Sequence, residues 1–184
     1  TFALALAAGS RIAVVRTRGD VRPPGSGRLA RFAAGRTAAF IGANYALTSD
    51  LRASFPGRRV FMAAQGVAGP AAPPPLPASP VVGMLARLDP VKGHDHLLDA
   101  AALLKSRWPA LKVRCAGQGQ LGDRLKWQLK PAGLDSVVEF TGFVADKWAF
   151  LASCRVGVVA STGSEAVSRA SLEWMAAGRP VVAS

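Results

Sequence analysis

Short apolar runs alternate with segments of helical periodicity along residues 81–184. Between Gly93 and Trp108 there are apolar side chains at positions 97, 98, 101, 104 and 108, the spacing of one helix face. The runs between such segments are rich in valine, as strands buried on both faces are. The pattern predicts strands at Val81–Ala86, Leu111–Ala116, Val137–Phe140, Val156–Ala160 and Pro180–Ala183, separated by helices at Gly93–Trp108, Leu121–Lys130, Asp146–Ala152 and Glu165–Ala177. This alternation predicts an α/β fold with a parallel sheet covered by helices on both faces.

The first part of the chain shows the same alternation less completely. Its pattern predicts strands at Arg11–Val15, Ala38–Gly42 and Arg58–Ala63, with helices at Arg28–Ala34 and Tyr45–Ser54. A proline-rich segment at 69–80 follows, and its composition excludes a helix or a central strand and indicates an extended linker. We therefore expect residues 1–68 to end one α/β domain and residues 81–184 to form most of a second. The chain lacks an initial methionine and stops inside a predicted strand, so we expect both domains to be incomplete in this chain.

The charge of the chain is strongly positive and unevenly distributed. The formal net charge is +12, with ten Lys and Arg against two acids in residues 1–80 and thirteen against nine afterwards. A basic first half attracts nucleic acid, an anionic membrane or a phosphorylated substrate. Aromatic residues do not interleave with the basic ones, so we expect no nucleic-acid partner but a peripheral contact with anionic membrane. A non-catalytic basic binding module stays an alternative interpretation.

Cysteine and histidine are scarce. Cys115 and Cys154 each lie inside an apolar run without CxxC spacing, which predicts buried, reduced thiols in a cytoplasmic protein. The histidines are only His94 and His96, and their spacing suits neither one helix face nor a zinc pair, so we predict no metal site.

The loop after the strand Val81–Ala86 carries two cations. Arg87 leaves the strand end, and Lys92 and Gly93 stand just before the next predicted helix. Ligands of parallel α/β sheets bind at the carboxyl ends of the strands. Two cations beside a helix N-terminus suit a phosphate or diphosphate, although such a pair also occurs as ordinary surface residues.

The loop after the strand Leu111–Ala116 fits the pattern G-x-G-x-x-G at Gly117, Gly119 and Gly122. It follows a strand, opens a helix and precedes an acid, Glu139, by about twenty residues, as the dinucleotide-binding fingerprint requires. Two features disagree with that interpretation. The motif belongs to the second strand–helix unit after the linker, and Glu139 falls inside a predicted strand instead of at its end. A dinucleotide-dependent oxidoreductase using this loop remains an alternative.

Two later loops contain acids that also have ordinary structural roles. Val144 can offer backbone groups to a base edge, while Asp146 is placed to cap the following helix. Thr162 and Glu165 fit a capping box, which would leave Glu173 as an ordinary helical surface residue. On one regular helix Glu165 and Glu173 would stand about 12 Å apart along the axis. That separation excludes a shared metal or small ligand but suits an elongated one, such as a nucleotide-diphosphate sugar.

In their order and spacing these loops resemble the donor-binding half of the retaining glycosyltransferases of family four, which have the GT-B fold. Three stretches carry the resemblance: GMLARLDPVKGHDHLLDAAALL, VEFTGFVAD and SEAVSRASLEWMAAGRPVVAS, the last with its Glu-x7-Glu. The first part is more loosely similar, through RTRGD and the Gln-Gly-Val at 65–67. The resemblance implies two Rossmann-like domains with parallel sheets. Residues 81–184 would then bind the nucleotide-sugar, and residues 1–68 would end the acceptor-side domain.

The resemblance also implies roles for the matching residues. Arg87 and Lys92 would neutralise the donor diphosphate as it leaves, and together with Glu165 they would form the catalytic set. Glu165 would contact the transferred sugar and Glu173 the ribose hydroxyls. The remaining donor-binding positions would be Gly117, Val144 against the nucleobase, and the backbone amides of Ala166, Val167 and Ser168.

The implied reaction moves a sugar from a nucleotide-diphosphate sugar to a hydroxyl of a glycan or glycolipid, with retention at the anomeric carbon. It would need no metal and no cofactor, because cations and the helix dipole stabilise the leaving group. The setting would be cell-envelope glycan or lipopolysaccharide synthesis, in the cytoplasm at the inner face of the membrane. Three departures affect this expectation, and the first is that RTRGD has no His where many members carry one after the N-terminal strand. Ala166 stands where the family often has Gly, and the chain stops before the loop that normally completes the donor pocket, so this chain alone would be an incomplete enzyme.

Overall fold

A computed structural model describes residues 13–20, 27–163 and 168–184. Their contacts divide the chain into two units. The first contains the described residues up to Gly66 together with Ser168, and the second contains Val67–Gly163 and Arg169–Ser184. None of the helices in the described ranges is both long and apolar enough to cross a membrane.

The described residues of the first unit form a parallel sheet of three strands in the order β1-β2-β3. Its elements are β1 (Val14–Arg18), α1 (Arg28–Gly35), β2 (Thr37–Gly42), α2 (Tyr45–Ser54) and β3 (Arg59–Met62). The core is small and centres on Phe40, whose ring stacks on that of Phe55 with 4.6 Å between the centroids. Helix α2 begins where the side chain of Asn44 accepts a hydrogen bond from the amide of Leu47 at 2.8 Å, an N-cap typical of asparagine.

The second unit is a parallel sheet of five strands in the order β6-β5-β4-β7-β8. The strands are β4 (Val81–Leu85), β5 (Lys112–Ala116), β6 (Val138–Gly142), β7 (Val156–Val159) and β8 (Val181–Ala183). The helices are α3 (His94–Leu104), α4 (Gly122–Leu129), α5 (Lys147–Ala152) and α6 (Arg169–Ala176), and a short 3-10 helix spans Pro90–Lys92. The parallel strands and their alternation with helices confirm the predicted α/β architecture.

Two hydrophobic clusters cover the two faces of this sheet. One contains the buried leucines of α3 and α4, such as Leu97 and Leu125, and the other contains Phe150, Leu151 and Trp174 from α5 and α6. Neighbouring residues of β5 face opposite clusters, with Cys115 in the first and Ala116 in the second. Side chains of a strand alternate between faces, so a strand buried on both sides is apolar throughout, as the sequence pattern indicated.

Trp174 packs flat on the second face, over two neighbouring glycines. Gly83 of β4 and Gly157 of β7 are paired in the sheet, and a Cβ on either one would overlap the indole. The absence of side chains at these two glycines leaves space on the sheet for the ring, which is fully buried. This packing fixes α6 against the sheet and, with it, the neighbouring acid Glu173.

Several predicted elements differ from the observed ones at their ends. Strand β1 runs through Arg16 and Thr17 to Arg18, later than predicted, because it pairs with β2 along that length. Helix α3 stops at Leu104 instead of Trp108, and the side chain of Lys105 then reaches the carbonyl of Ala132 at 2.8 Å. Helix α6 begins at Arg169, whereas the prediction began at Glu165, which lies outside the described residues.

The proline-rich segment forms neither helix nor strand over residues 67–80, all of which are described. It lies along the second unit, where the guanidinium of Arg155 donates to the carbonyl of Pro77 at 2.7 Å. The absence of helix and strand there confirms the local prediction, while the proposed domain limits at 68 and 81 stay a prediction.

Candidate functional site

The order of strands in the second unit reverses beside β4. From β4 the chain moves outward to β5 and β6 and then returns to the other side of β4 as β7 and β8. In open α/β sheets a crevice forms at the carboxyl ends of the two strands where the order reverses, and ligands bind there. For this sheet those strands are β4 and β7, so the loops at residues 86–93 and 160–163 border the expected crevice.

The loop after β4 contains the two predicted phosphate ligands. Arg87 is largely exposed, with 74% of its side chain accessible, and its guanidinium pairs with the carboxylate of Asp89 at 3.0 Å. Lys92 is half-buried and ends the 3-10 helix. Gly93 then takes a left-handed conformation with φ of 70° and leads directly into α3. The loop therefore places Arg87 at its start and Lys92 at its end, beside the N-terminus of α3.

This loop is held from both sides. Leu88 is buried, its amide donates to the carbonyl of Gln118 at 3.1 Å, and its carbonyl accepts from Leu121 at 3.0 Å. On the other side the amide of Thr162 donates to the carbonyl of Val91 at 2.9 Å. A Cβ on Gly93 would overlap the carbonyl of Ala160, at the end of β7. The loops after β4, β5 and β7 thus form one packed edge.

The pattern at Gly117, Gly119 and Gly122 has a structural explanation in this edge. A Cβ on Gly117 would overlap the carbonyl of Ala86, and one on Gly119 would lie 2.5 Å from that of Leu88. The absence of a side chain at these glycines therefore leaves room for the backbone of the loop after β4. Glu139 lies inside β6, where it pairs with Arg114 at 3.0 Å, so it does not occupy the strand end that a dinucleotide ribose requires.

A cleft of about 280 Å³ opens at the carboxyl ends of β5 and β6. Its walls include Gly117, Gly119, Gly142 and Phe140, and Lys126 supplies one cation. Gly117 was predicted to contact the donor, and its position on this wall brings it to the same edge of the sheet as the loop after β4. The predicted contact itself stays a prediction.

The loop after β6 packs against the core through Val144. Val144 is half-buried and packs against the cluster that contains Phe150 and Trp174. The carboxylate of Asp146 accepts from the amide of Ala149 at 3.0 Å, which confirms the predicted helix cap. Helix α5 therefore starts at Lys147, one residue after its cap.

Glu173 is a buried acid with two cationic partners. Its side chain is only 9% exposed, and its Oε1 lies 2.7 Å from Nζ of Lys147 and 3.1 Å from Nε of Arg169. An isolated charge in such a place would cost several kcal/mol, so the pairing is what permits a carboxylate there. The alternative interpretation of Glu173 as an ordinary helical surface residue is therefore wrong.

The other predicted residues around the loop after β7 are only partly described. Glu165, Ala166 and Val167 lie outside the described residues. Ser168 is half-buried and clusters by its contacts with the first unit, whereas the other described candidates belong to the second. Thr162, the first residue of the suggested capping box, has its hydroxyl 3.5 Å from the carbonyl of Val91.

Three residues near this edge were not predicted from the sequence. Lys147 and Arg169 are the partners of Glu173, and the four-residue spacing of Arg169 and Glu173 on one helix is a signal that was available. His94, just after Gly93, is 2% exposed, and neither ring nitrogen has a hydrogen-bond partner within the described ranges. Burial lowers the pKa of His94, partly opposed by the charges of Asp95 and Asp89. No local pattern indicates such a burial.

Comparison with known proteins gives a family and a set of similar structures. Residues 79–184, more than half of the chain, match the family described as glycosyl transferases group 1. EpsD of Bacillus subtilis (strain 168), a protein named provisionally as a glycosyltransferase, is 34% identical over 98 residues, which are 53% of this chain and 26% of EpsD.

Two solved structures resemble most of the chain. A mutant of TarM from S. aureus, in complex with fondaparinux, α-GlcNAc-glycerol and UDP, has a TM-score of 0.81 at 20% identity and covers 95% of this chain and 37% of TarM. HepE of Anabaena in complex with UDP has a TM-score of 0.74 at 25% identity and covers 94% of this chain and 53% of HepE. HepE is also known in complex with UDP-glucose. The chain thus spans roughly a quarter to a half of the length of these proteins.

These similarities confirm the predicted fold class, an α/β fold of the GT-B type with parallel sheets. The family match covers all of the second unit from Ser79 onward, including the loops that carry Arg87, Lys92, Val144 and Glu173. The chain belongs to the glycosyl transferases group 1 family.

Proposed function

We propose that the protein transfers a sugar from a nucleotide-diphosphate sugar to an acceptor hydroxyl, with retention at the anomeric carbon. One observation carries the proposal. The strand order reverses between β4 and β7, and the loops at this switch bear the cations Arg87 and Lys92 and lead into the helix of Glu173. Family membership supports the same activity.

The diphosphate is assigned to the loop after β4. Arg87 and Lys92 would contact its oxygens beside the N-terminus of α3, where backbone N–H groups and the helix dipole favour an anion. As the bond to the sugar breaks, negative charge builds on the departing phosphate, and these two cations would stabilise it. The Arg87 side chain is largely exposed in its ion pair with the half-buried Asp89, so a dianionic phosphate can compete for the guanidinium.

The nucleoside is assigned to the loop after β6 and to α6. Val144 would lie against the base and Glu173 would accept hydrogen bonds from the ribose hydroxyls. Glu165 and the backbone amides of Ala166, Val167 and Ser168 would hold the transferred sugar, and Gly117 would line the donor site. Uridine is the base to test first, because TarM and HepE have both been solved with UDP.

The net charge of the chain and the family resemblance suggest the class of acceptor and its place in the cell. The net charge of +12 suits an acceptor bearing phosphates, or a glycolipid at the inner face of an anionic membrane, as in cell-envelope or lipopolysaccharide synthesis. Arg87, Lys92 and the helix dipole supply positive charge at the leaving group, so we expect activity without a metal or other cofactor.

A dinucleotide-dependent oxidoreductase is the less well supported alternative. The backbone of Ala86 and Leu88 fills the space beside Gly117 and Gly119. Glu139 lies inside β6 and forms an ion pair with Arg114. Both features remove the ligand contacts that the fingerprint would provide.

Two successive experiments test the identity of the donor and the stereochemistry of the transfer. A thermal-shift panel of UDP, GDP, ADP, NAD and FAD identifies the nucleotide, since a selective ligand stabilises by RT ln(1 + [L]/Kd). Proton NMR of turnover with the matching nucleotide-sugar then reports the anomeric configuration of the first product. We expect a nucleoside diphosphate to bind and the α-linked donor to give an α-linked product. Stabilisation by NAD or FAD alone would contradict the transferase, and an inverted product would contradict retention.

A further inference from the structure

The carboxylate of Glu173 is held by two cations that come from different parts of the chain. Lys147 is the first residue of α5 and reaches Oε1 at 2.7 Å, while Arg169 is the first residue of α6 and reaches the same oxygen at 3.1 Å. The three residues, which we call the Glu173 clasp, lie on the face of the sheet where Trp174 is packed.

The clasp differs from an ordinary surface ion pair in its burial. Glu173 is 9% exposed at the side chain, whereas Lys147 is 35% and Arg169 is 65% exposed. A carboxylate so deprived of water depends on its partners to offset the lost hydration and to keep one orientation. Because both cations bind Oε1, rotation of the carboxyl group would break two charge-assisted hydrogen bonds together.

Both cations are themselves anchored. Lys147 follows the cap residue Asp146, and its ammonium lies 4.9 Å from the ring centre of Trp148. The helix it starts is seated in the core through Phe150 and Leu151. Arg169 stands one helical turn before Glu173, and the helix that carries both residues is held on the sheet by the buried Trp174. The clasp is therefore assembled before any ligand arrives.

We propose that Lys147 and Arg169 are positioning residues that turn Glu173 so that Oε2 accepts hydrogen bonds from the ribose of the donor nucleotide. The inference rests on the proposed function, since it takes Glu173 as the ribose ligand. It adds the groups that make this carboxylate selective for ribose. Neither cation touches the nucleotide in this arrangement, and each acts through Glu173.

Lys147 also connects the two parts of the proposed nucleoside site. It joins the loop that carries Val144 to the helix that carries Glu173, so the base and the ribose are recognised by one connected structure. Loss of Lys147 releases the carboxylate from that loop, whereas loss of Arg169 leaves this connection in place. Lys147 is therefore the more important of the two for selectivity.

The test compares UDP with dUDP, which lacks one ribose hydroxyl, by titration calorimetry on the whole protein. The variants are Lys147→Met and Arg169→Met, which keep the aliphatic stems, Glu173→Gln, and the double variant Lys147→Met/Glu173→Gln. Lys147→Arg serves as the rescue variant, and Lys130→Met, an exposed lysine after α4, is the matched control. Unfolding midpoints confirm that each variant is folded.

We expect the native protein to prefer UDP over dUDP by roughly tenfold, the size of one hydrogen bond to a charged acceptor. Lys147→Met should reduce this ratio to near one, Arg169→Met should reduce it less, and Lys147→Arg should restore it. In the Glu173→Gln background the lysine change should have no further effect on the ratio.

Two results would overturn the inference. One is an unchanged ratio in Lys147→Met, and the other is an equal loss of affinity for both nucleotides, which would mean that the lysine acts on the phosphates. The proposed function fails in a different way, by the native protein binding neither UDP nor any other nucleoside diphosphate. Nucleotide titration of the native protein alone therefore distinguishes the two failures.

Discussion

The indole of Trp174 lies directly on Gly157, so closely that a single added methyl group at the glycine would overlap the ring. Gly157→Ala is therefore expected to lower the free energy of unfolding by about 1–3 kcal/mol, the cost of overpacking a closely packed core. Because Trp174 holds α6 on the sheet, the same change should also weaken nucleotide binding through Glu173. Urea unfolding and UDP titration measure the two effects.

A matched control for this substitution is Gly66→Ala, since a Cβ at Gly66 meets nothing within 4 Å. That variant should unfold at the same urea concentration as the native protein. If Gly157→Ala also unfolds at the native midpoint, Trp174 does not rest on the glycine as described.

Gly93 affects the loop after β4 both through its left-handed φ and through its close contact with Ala160, and the two effects can be measured separately. Gly93 and Gly133 both have left-handed φ values, 70° and 61°. A Cβ on Gly93 would overlap the carbonyl of Ala160, whereas one on Gly133 would meet only the end of the Lys105 side chain at 3.1 Å. Gly133→Ala should cost about 1–2 kcal/mol and leave nucleotide binding unchanged. Gly93→Ala should displace Lys92 and lower UDP affinity at least tenfold.

Calorimetric titration of UDP into both variants checks this difference. Equal affinities in Gly93→Ala and Gly133→Ala would mean that the packing of Gly93 on Ala160 does not shape the proposed phosphate site.

Much of the architecture was predictable because it rests on local patterns. Strands buried on both faces must be apolar throughout, and helices on a sheet must repeat their apolar residues every three or four positions. Contacts between distant residues decide where elements end. Strand β6 continues to Gly142, two residues beyond its prediction, because the carbonyl of Gly142 accepts from the amide of Gly117 at 2.8 Å. No pattern within residues 137–142 contains that partner.

The candidate site was predictable to a smaller extent, for the same reason. Arg87 and Lys92 follow a recognisable strand, so their place at its carboxyl end could be inferred. The partnership of Lys147 with Glu173 joins residues 26 positions apart and became visible only in the structure. The glycines at 117 and 119 show why such a pattern is ambiguous, because a ligand-binding loop and close backbone packing both use glycine.

His94 should make the protein less stable in mild acid. Burial lowers its pKa below the ordinary value of about 6.5, so the unfolded chain takes up a proton at a pH where the folded protein does not. The free energy of unfolding should therefore fall as the pH drops below about 6.5, by up to about 1.4 kcal/mol per pH unit from this group. Above that pH the contribution is constant.

Urea unfolding at about pH 7.5 and about pH 5.5 measures this dependence. His94→Leu should reduce the difference between the two conditions, whereas His96→Gln, at an exposed position, should leave it unchanged. The same acid dependence in His94→Leu and the native protein would show that another group is responsible.

The two cysteines should be unreactive in the folded protein. Burial raises the pKa of the Cys115 thiol to about 12, and burial also raises the pKa of Cys154. Only the thiolate reacts with disulfide reagents, and it is scarce in both groups near neutral pH. A colorimetric thiol assay should detect almost no reaction before urea is added and both thiols afterwards. Rapid modification of one thiol in the folded state would contradict its burial.

The central claim, that the switch between β4 and β7 binds the diphosphate of a donor nucleotide, is tested most directly by titrating UDP into the native protein, Lys92→Ala and the control Lys130→Ala. The claim predicts saturable binding of UDP, a loss of about tenfold or more in Lys92→Ala from one charged hydrogen bond, and native affinity in Lys130→Ala. Equal affinity in Lys92→Ala and the native protein would contradict it.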